Sequence, residues 1–316
     1  MLTVTKLTQA LAMAGVALIG GNALADGYAV STDNVRSGSI TPTGDITFGA
    51  VSSTSSTSAT LNGAGAANQS SGVPNPDAPV SAVGSASGRT NELGSPYYTL
   101  IGSGGSSYSW GDAIVNSEQT AGPPPTLIIA RNAAETNIDG SGFGAADGTN
   151  KSSTSMTVAV GGSGSSLSFA FEANPFINVS MDAAAGPTSV ARGTLGFSIT
   201  LARASDGAVV FNWTPDGMAG GITGGSESAD PFSLNLTLSA FAGQDFTYSG
   251  AYGDDSFGSF AASTDTLAAG VYTLSLFMNE KTDVVRVAAV PEPETYALML
   301  GGLGLVGFIA RRRRKV

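Results

Sequence analysis

The stretch Leu195-Gly-Phe-Ser-Ile-Thr-Leu201 places an apolar side chain at every second position, with small or polar residues between them. Phe232-Ser-Leu-Asn-Leu-Thr-Leu238 repeats this alternation, and Tyr272-Thr-Leu-Ser-Leu-Phe-Met278 follows it until Phe277. A period of two predicts β-strands with one face buried and one face in water. One-sided strands need a second sheet to cover them, so residues 26–290 are predicted to form an all-β domain, an antiparallel β-sandwich or jelly roll.

Two segments before these strands lack the alternation. Eight of the nine residues from Ser52 to Thr60 carry a hydroxyl, and no aromatic residue occurs between Gly49 and Pro96. Because such a span can bury little apolar surface, residues 52–95 are predicted to form a flexible loop. Trp110 to Gln119 is compatible with a short helix that has its apolar residues on one side.

The first 25 residues have the three parts of a secretory signal peptide. Lys6 is the only charge near the start, Leu7 to Ile19 is mostly apolar, and Gly20 to Asn22 interrupts that run. Ala23 and Ala25 then supply the small residues that precede a signal cleavage site. The pattern predicts export by the Sec route with cleavage after Ala25, while a first buried helix is the alternative.

Charge and missing residue types narrow the chemistry that the domain can perform. The chain contains no Cys and no His, so disulfides, imidazole catalysis and Cys- or His-based metal sites are excluded. Residues 26–290 carry 22 acidic and 8 basic side chains, a net charge of −14 that the whole-chain value of −10 hides. A domain this acidic repels nucleic acid, which is therefore excluded as a partner.

Three different chemistries follow one another at the C-terminal side. Pro291-Glu-Pro-Glu294 is a rigid acidic segment, Thr295 to Ala310 is uncharged and rich in apolar residues and glycine, and a basic cluster follows, namely Arg311, Arg312, Arg313, Arg314 and Lys315. As a helix, residues 295–310 would span ~24 Å, which is short of a hydrocarbon core of ~30 Å. They predict a single short transmembrane helix whose basic cluster stays on the cytoplasmic side.

The order of Pro291-Glu292-Pro293, a Gly-rich apolar helix and an arginine cluster resembles the PEP-CTERM sorting signal of exosortase-dependent exported proteins. The resemblance implies that exosortase, a membrane-embedded cysteine-type transpeptidase, recognises residues 291–293 and cuts near them. The helix would hold the precursor transiently in the inner membrane until it is removed. The resemblance also implies a product that is displayed on the cell surface or released, in bacteria that make exopolysaccharide and biofilms.

The body of the chain shows a second resemblance. Residues 117–125, 230–235 and 267–275 are similar to uncharacterised exosortase-dependent surface proteins. Because no activity is established for those proteins, this resemblance adds no catalytic residue.

Two groups of residues outside the tail could carry a further function. Trp110 and Trp213 could stack on sugar rings in a carbohydrate-binding module, with core burial as the alternative for both. Asp139-Gly-Ser-Gly142 and Asp147-Gly-Thr-Asn150 could offer oxygen ligands to a structural Ca²⁺, with turn formation as the alternative. Apart from that calcium, no metal or cofactor is predicted.

Paired carboxylates are the remaining route to catalysis. Glu227 with Asp230, or Asp254 with Asp255, could form the acid pair of a glycoside hydrolase, although solvated turn acids would explain both pairs. We therefore predict a non-catalytic exported surface or extracellular-matrix protein, sorted by exosortase and associated with exopolysaccharide or biofilm. A carbohydrate-binding module of the matrix is the first alternative, and a carboxylate-based glycoside hydrolase is the second.

Overall fold

The computed structural model of the protein consists mainly of strands in two antiparallel β-sheets, which confirms the all-β prediction. Two of the alternating segments, at 195–201 and 272–278, lie within strands, whereas the segment at 232–238 is a strand only from Leu236 onward. The structure describes residues 26–72, 76–90, 99–118, 127–140, 144–162, 164–248, 257–288 and 293–313. The predicted signal peptide, with Ala23 and Ala25, lies outside the described residues.

Seventeen strands and one helix occur within these ranges. In chain order they are β1 (Gly27–Thr43), β2 (Ile46–Leu61), β3 (Ala64–Gly72), β4 (Asp77–Gly84), β5 (Tyr108–Glu118), β6 (Leu127–Ile138), β7 (Gly144–Val160), β8 (Ser166–Ala173), β9 (Phe176–Met181), β10 (Val190–Arg203), β11 (Val209–Trp213), β12 (Ile222–Thr223), β13 (Gly225–Ala229), β14 (Leu236–Phe241), β15 (Gln244–Tyr248), β16 (Gly258–Thr264), β17 (Gly270–Arg286) and α1 (Pro293–Arg313).

The strands divide into two sheets that pack against each other. Among the described residues, the first sheet has nine strands in the order β13-β16-β8-β1-β6-β5-β4, with β9 paired to β1 and β15 paired to β9. The second has eight strands in the order β12-β11-β10-β17-β7-β2-β3, with β14 paired to β10. Strand β1 contacts β17 and β10, and β5 contacts β2 and β7, so the two sheets cover each other's inner faces.

The flexible loop predicted over 52–95 is wrong for the described part of that range. Strand β2 pairs with β7 along most of its length, and β3 and β4 follow it. The alternation escaped sequence reasoning because the inward side chains of β2 are hydroxyls too. Ser53 hydrogen-bonds Thr154 across 2.9 Å, and Thr57 hydrogen-bonds Ser81 across 2.8 Å. A buried hydroxyl is stable when it has such a partner, so this strand needs no hydrophobic period.

The short helix predicted from Trp110 is also wrong, because residues 108–118 form strand β5. Both faces of this strand are covered near its start. Val115 points into the main core between the sheets, whereas Trp110 packs with Ala86 and Ala133 in a separate cluster. Apolar residues therefore occur on both faces, and the period of two is hidden.

The main core is aromatic where the sheets are well separated. The ring of Phe171 lies 4.9 Å from that of Phe197, 4.9 Å from that of Phe260 and 5.6 Å from that of Trp213, measured between centroids. Elsewhere the sheets come much closer together. A Cβ atom added to Gly111 of β5 would lie 2.8 Å from the Thr149 carbonyl oxygen of β7, so only glycine fits there.

Hydrogen bonds made by polar side chains also connect the two sheets. Three examples cross from the first sheet to the second: Ser31 Oγ donates to the Thr194 carbonyl (2.7 Å), Ser152 Oγ donates to Asn132 Oδ1 (2.6 Å), and the hydroxyls of Thr136 and Thr282 lie 2.7 Å apart. These bonds attach the inner face of β10, β7 and β17 to the first sheet. They therefore limit the movement of the strands that form the outer face of the second sheet.

Candidate functional site

The predicted sorting segment starts outside the described residues and continues into helix α1. Pro291 and Glu292 are not among the described residues, whereas Pro293 begins α1, where the fixed φ of proline suits the first turn. The large apolar side chains from Leu298 to Ile309 are exposed, and so is Arg311. The other side chains of the basic cluster, at 312–315, lie outside the described set.

The transmembrane helix predicted over 295–310 is not confirmed. Helix α1 covers that range. Of the described part of the chain, however, no helix combines the length and apolar character needed to cross a lipid bilayer. An uncharged run of 16 residues that includes four glycines falls short of the about 20 mainly apolar residues that a span needs.

Both tryptophans lie in the interior, so neither presents a ring face to a sugar. The exposed fraction is 1% for Trp110 and 0% for Trp213. Each indole nitrogen donates to a carboxylate, Trp110 to Glu135 Oε2 (2.6 Å) and Trp213 to Glu227 Oε2 (3.2 Å). The alternative of core burial therefore describes both residues.

Glu135 is a buried carboxylate that sequence reasoning missed. It accepts five hydrogen bonds, from Tyr28 Oη (2.8 Å), Tyr108 Oη (2.9 Å), Trp110 Nε1 (2.6 Å) and the backbone amides of Ile101 (3.0 Å) and Gly102 (2.8 Å). Burial raises the pKa of Tyr108, and the negative charge of Glu135 raises it further. With its oxygens saturated by donors, Glu135 anchors residues 101 and 102 to the first sheet.

The proposed calcium loops do not appear as ligand clusters. Asp147 to Asn150 lies inside strand β7, where Asp147 accepts a hydrogen bond from Thr60 (3.1 Å) and lies 3.8 Å from the Lys281 ammonium. Part of 139–142 lies outside the described residues. Within the described ranges, no three metal-ligating side chains come together.

The carboxylates of Glu227 and Asp230 influence each other electrostatically, but both accept hydrogen bonds from the protein. Asp230 Oδ2 accepts from the amides of Asp216 (2.9 Å) and Gly217 (3.0 Å), whereas Glu227 accepts from the Trp213 indole and the Gly220 amide. Burial raises the pKa of Asp230, the two amides lower it, and the charge of Glu227 raises it. These acids fix the loop between β11 and β13. The other predicted pair, Asp254 and Asp255, lies outside the described residues.

Two further acids are buried between the sheets. Asp33 of β1 and Glu280 of β17 are 1% and 0% exposed. Burial raises the pKa of Asp33 to about 7, although the Asn34 amide opposes the shift. Burial also raises the pKa of Glu280 well above its usual range, and the charge of Asp33 raises it further.

The outer face of the second sheet is a broad polar surface. We call it the hydroxyl face. It consists of alternate residues of four adjacent strands: Ser52–Thr60 of β2, Asp147–Thr157 of β7, Thr273–Asp283 of β17 and Arg192–Thr200 of β10. Fourteen of these 22 residues are Ser or Thr. The registers align them in rows, for example Thr54, Ser153, Phe277 and Ser198.

A depression and one aromatic ring interrupt the hydroxyl face. The depression has a volume of about 430 Å³ and is lined by side chains that include Ser56, Gln69, Thr149 and Lys151. Phe277 is 39% exposed and sits in the row next to that of Lys151. Sequence reasoning noted only that Phe277 breaks the alternation of β17. The break is the signal that an aromatic residue points outward.

The comparisons with known proteins bear on the tail. Residues 289–315 match the PEP-CTERM protein-sorting motif. The chain matches no curated protein and no solved structure. The match covers the acidic segment, the apolar helix and the basic cluster whose order predicted it. The chain is thus a PEP-CTERM sorting domain-containing protein, and the motif implies exosortase-dependent sorting of a surface protein.

Proposed function

We propose that this protein is a non-catalytic component of the cell surface or extracellular matrix, processed by exosortase at residues 291–293. The sorting motif at residues 289–315 is the observation that carries the proposal. The exposed apolar side chains of α1 support it, because a large exposed apolar surface marks a site that a membrane or a protein partner covers. In this function the tail directs sorting, and the β-domain is the part that persists.

The arrangement of the acids supports a non-catalytic role. Glu135, Glu227 and Asp230 accept hydrogen bonds from the protein itself, which leaves them committed to holding loops in place. The chain also lacks the His and Cys that other hydrolytic mechanisms use. A protein built in this way is suited to presenting a stable surface.

Signal cleavage after Ala25 would leave Asp26 at the start of the mature protein. The β-domain uses this residue. Its carboxylate accepts a hydrogen bond from the Gly140 amide (2.9 Å), and its carbonyl accepts one from the Asp182 amide (3.0 Å). We expect N-terminal sequencing of the exported protein to begin at Asp26.

The processing step is tested by mass. The protein is recovered from cells with and without exosortase, and the mass of the intact chain is measured. We expect loss of the tail only where exosortase is present and only when Pro291 and Pro293 are intact. Changing both prolines to Ala removes the ring constraints that limit the backbone conformations of the recognised segment.

A matched control changes Pro215, a proline in the β-domain, to Ala, which must leave processing intact. An unchanged C-terminal mass of the parent protein in exosortase-positive cells would contradict the proposal.

A further inference from the structure

We propose that the hydroxyl face binds a neutral, linear polysaccharide, with Phe277 as the platform for one sugar ring. The proposal rests on the function proposed above, because it names the partner that a surface component of this kind would contact. It places the binding surface on the second sheet and not on the buried tryptophans.

The size and shape of the hydroxyl face suit a linear chain. Four strands about 4.8 Å apart make the face about 14 Å wide, and alternate residues extend it roughly 30 Å along the strands. The depression of about 430 Å³ lies at one edge of this area, where β2 meets residues 67–69 of β3. That volume falls in the range of roughly 300–1,000 Å³ typical of ligand sites. A chain of sugar rings that lies along the strands would fill the depression and continue beyond it.

The hydrogen-bonding groups match those of a sugar. Ser and Thr hydroxyls can donate and accept, as sugar hydroxyls do. Thr60 and Thr194 bond other side chains of the domain, Asp147 and Thr237. The hydroxyls of the rows near the depression, such as those of Ser56 and Ser153, make no side-chain hydrogen bond within the described residues and remain open to a ligand.

Phe277 supplies an apolar ring face, which the hydroxyl groups cannot provide. The apolar C–H side of a sugar ring packs on an aromatic face, and exposed aromatic side chains dominate many binding surfaces. Phe277 stands directly beside Ser153 of the neighbouring strand and diagonally from Lys151, at a distance of about 7–8 Å. One ring can therefore stack on Phe277 while the next reaches the polar groups of the depression.

The charges favour a neutral partner over a polyanion. The hydroxyl face carries three cations and two carboxylates. Lys281 lies 3.8 Å from Asp147, and Arg192 lies 3.6 Å from Asp283, so most of this charge is locally balanced. The surrounding domain has a net charge of −14, and its field repels an anionic chain. A second copy of this protein is disfavoured as the occupant, because the centre of a protein–protein interface is depleted of charge and rich in apolar groups.

The test compares two exposed phenylalanines on opposite sheets. The full chain, purified in mild non-ionic detergent, is run in native gels that contain hydroxyethylcellulose, dextran or galactomannan as neutral probes, and alginate as the anionic probe. We expect retardation by at least one neutral probe and none by alginate. Phe277→Ser is expected to weaken binding about tenfold, which corresponds to about 1.4 kcal/mol. Phe246→Ser, at a residue that is 44% exposed on β15 of the first sheet, is the matched control and must bind like the parent protein.

A second variant guards against loss of folding. Ser56→Asp with Ser153→Asp adds two carboxylates without removing the ring, and we expect it to reduce binding as well. Thermal unfolding must match that of the parent protein for both variants. The proposal is overturned if no neutral probe retards the parent protein, if Phe277→Ser binds normally, or if the face instead mediates self-association in sedimentation. Each variant is also followed for tail removal in exosortase-positive cells, so that a failure of binding and a failure of sorting are distinguished.

Discussion

Removing the buried carboxyl of Asp33 should make this protein more stable at neutral pH. The pKa of Asp33 is raised from 3.8 to about 7 by burial between the sheets. The unfolded chain ionises this group at its usual pKa, whereas the folded chain holds the proton to a higher pH. The contribution of Asp33 to stability is therefore full below pH ~4 and is lost as the pH rises toward ~7. A difference of about three pKa units corresponds to about 4 kcal/mol of unfolding free energy.

Asp33→Asn keeps the shape and removes the ionisation. Its free energy of unfolding, relative to the parent protein, should rise by about 4 kcal/mol between acid and weakly alkaline pH. Urea unfolding followed by tryptophan fluorescence measures this, since Trp110 and Trp213 are both buried. Glu280 of β17 is retained, and because the charge of Asp33 raises its pKa, Asp33→Asn also moves the pKa of Glu280 downward.

Asp206→Asn is a control for which the expected pH dependence of stability has the opposite sign. The Ala208 amide lowers the pKa of the exposed Asp206 carboxyl, so its contribution is present at neutral pH and disappears as the pH falls. Asp206→Asn should therefore lower stability slightly at neutral pH only. If the stability difference between Asp33→Asn and the parent protein is the same in acid and alkali, the reasoning about Asp33 is wrong.

Two further stability predictions follow from the backbone and the core. Glu135→Gln replaces an acceptor of five hydrogen bonds with an amide that turns two N–H groups toward donors, and it should lower the unfolding free energy by about 2–4 kcal/mol in urea titrations. Tyr108→Phe removes one of the bonds to Glu135 and should lower the unfolding free energy by only about 1 kcal/mol. If both variants lose the same unfolding free energy, Glu135 does not stabilise the fold through all of its donors. Gly224→Ala should cost several times more than Gly207→Ala, because both glycines have φ near +70° but an added Cβ at Gly224 would lie 1.8 Å from the Val210 carbonyl oxygen, whereas at Gly207 it meets open space. Similar melting temperatures for these two variants would show that the loop relieves the clash.

The alternation of apolar and polar residues predicted strands correctly in several segments, although the segment at 232–238 is a strand only from Leu236 onward. Leu195 to Leu201 is the clearest case, and it lies in β10 as expected. The period failed in β2, because Ser53 and Thr57 are buried hydroxyls that find partners on other strands. Thr154, the partner of Ser53, lies about 100 residues away in the sequence. A local sequence pattern cannot reveal such a partner.

Prediction of the candidate sites was also limited to features that depend on neighbouring residues. The sorting motif is read from neighbouring residues, and the match at residues 289–315 confirms it, since its recognition depends on local order. The hydroxyl face depends on the register of four strands that are distant in sequence. Phe277 was visible only as a break in the alternation of β17. Trp110 and Trp213 were considered as sugar contacts because residue type alone does not tell burial from exposure.

Strand β17 has a mechanical consequence for a protein that is sorted to a surface. It is the last strand before the sorting segment, and it lies between β7 and β10, bonded to both along most of its 17 residues. Tension applied through the C-terminal side pulls β17 along its own axis. Many hydrogen bonds on both flanks then share the force at once and must break together. We therefore expect a tether at this position to resist shear from flow far better than one attached to an edge strand such as β3 or β4.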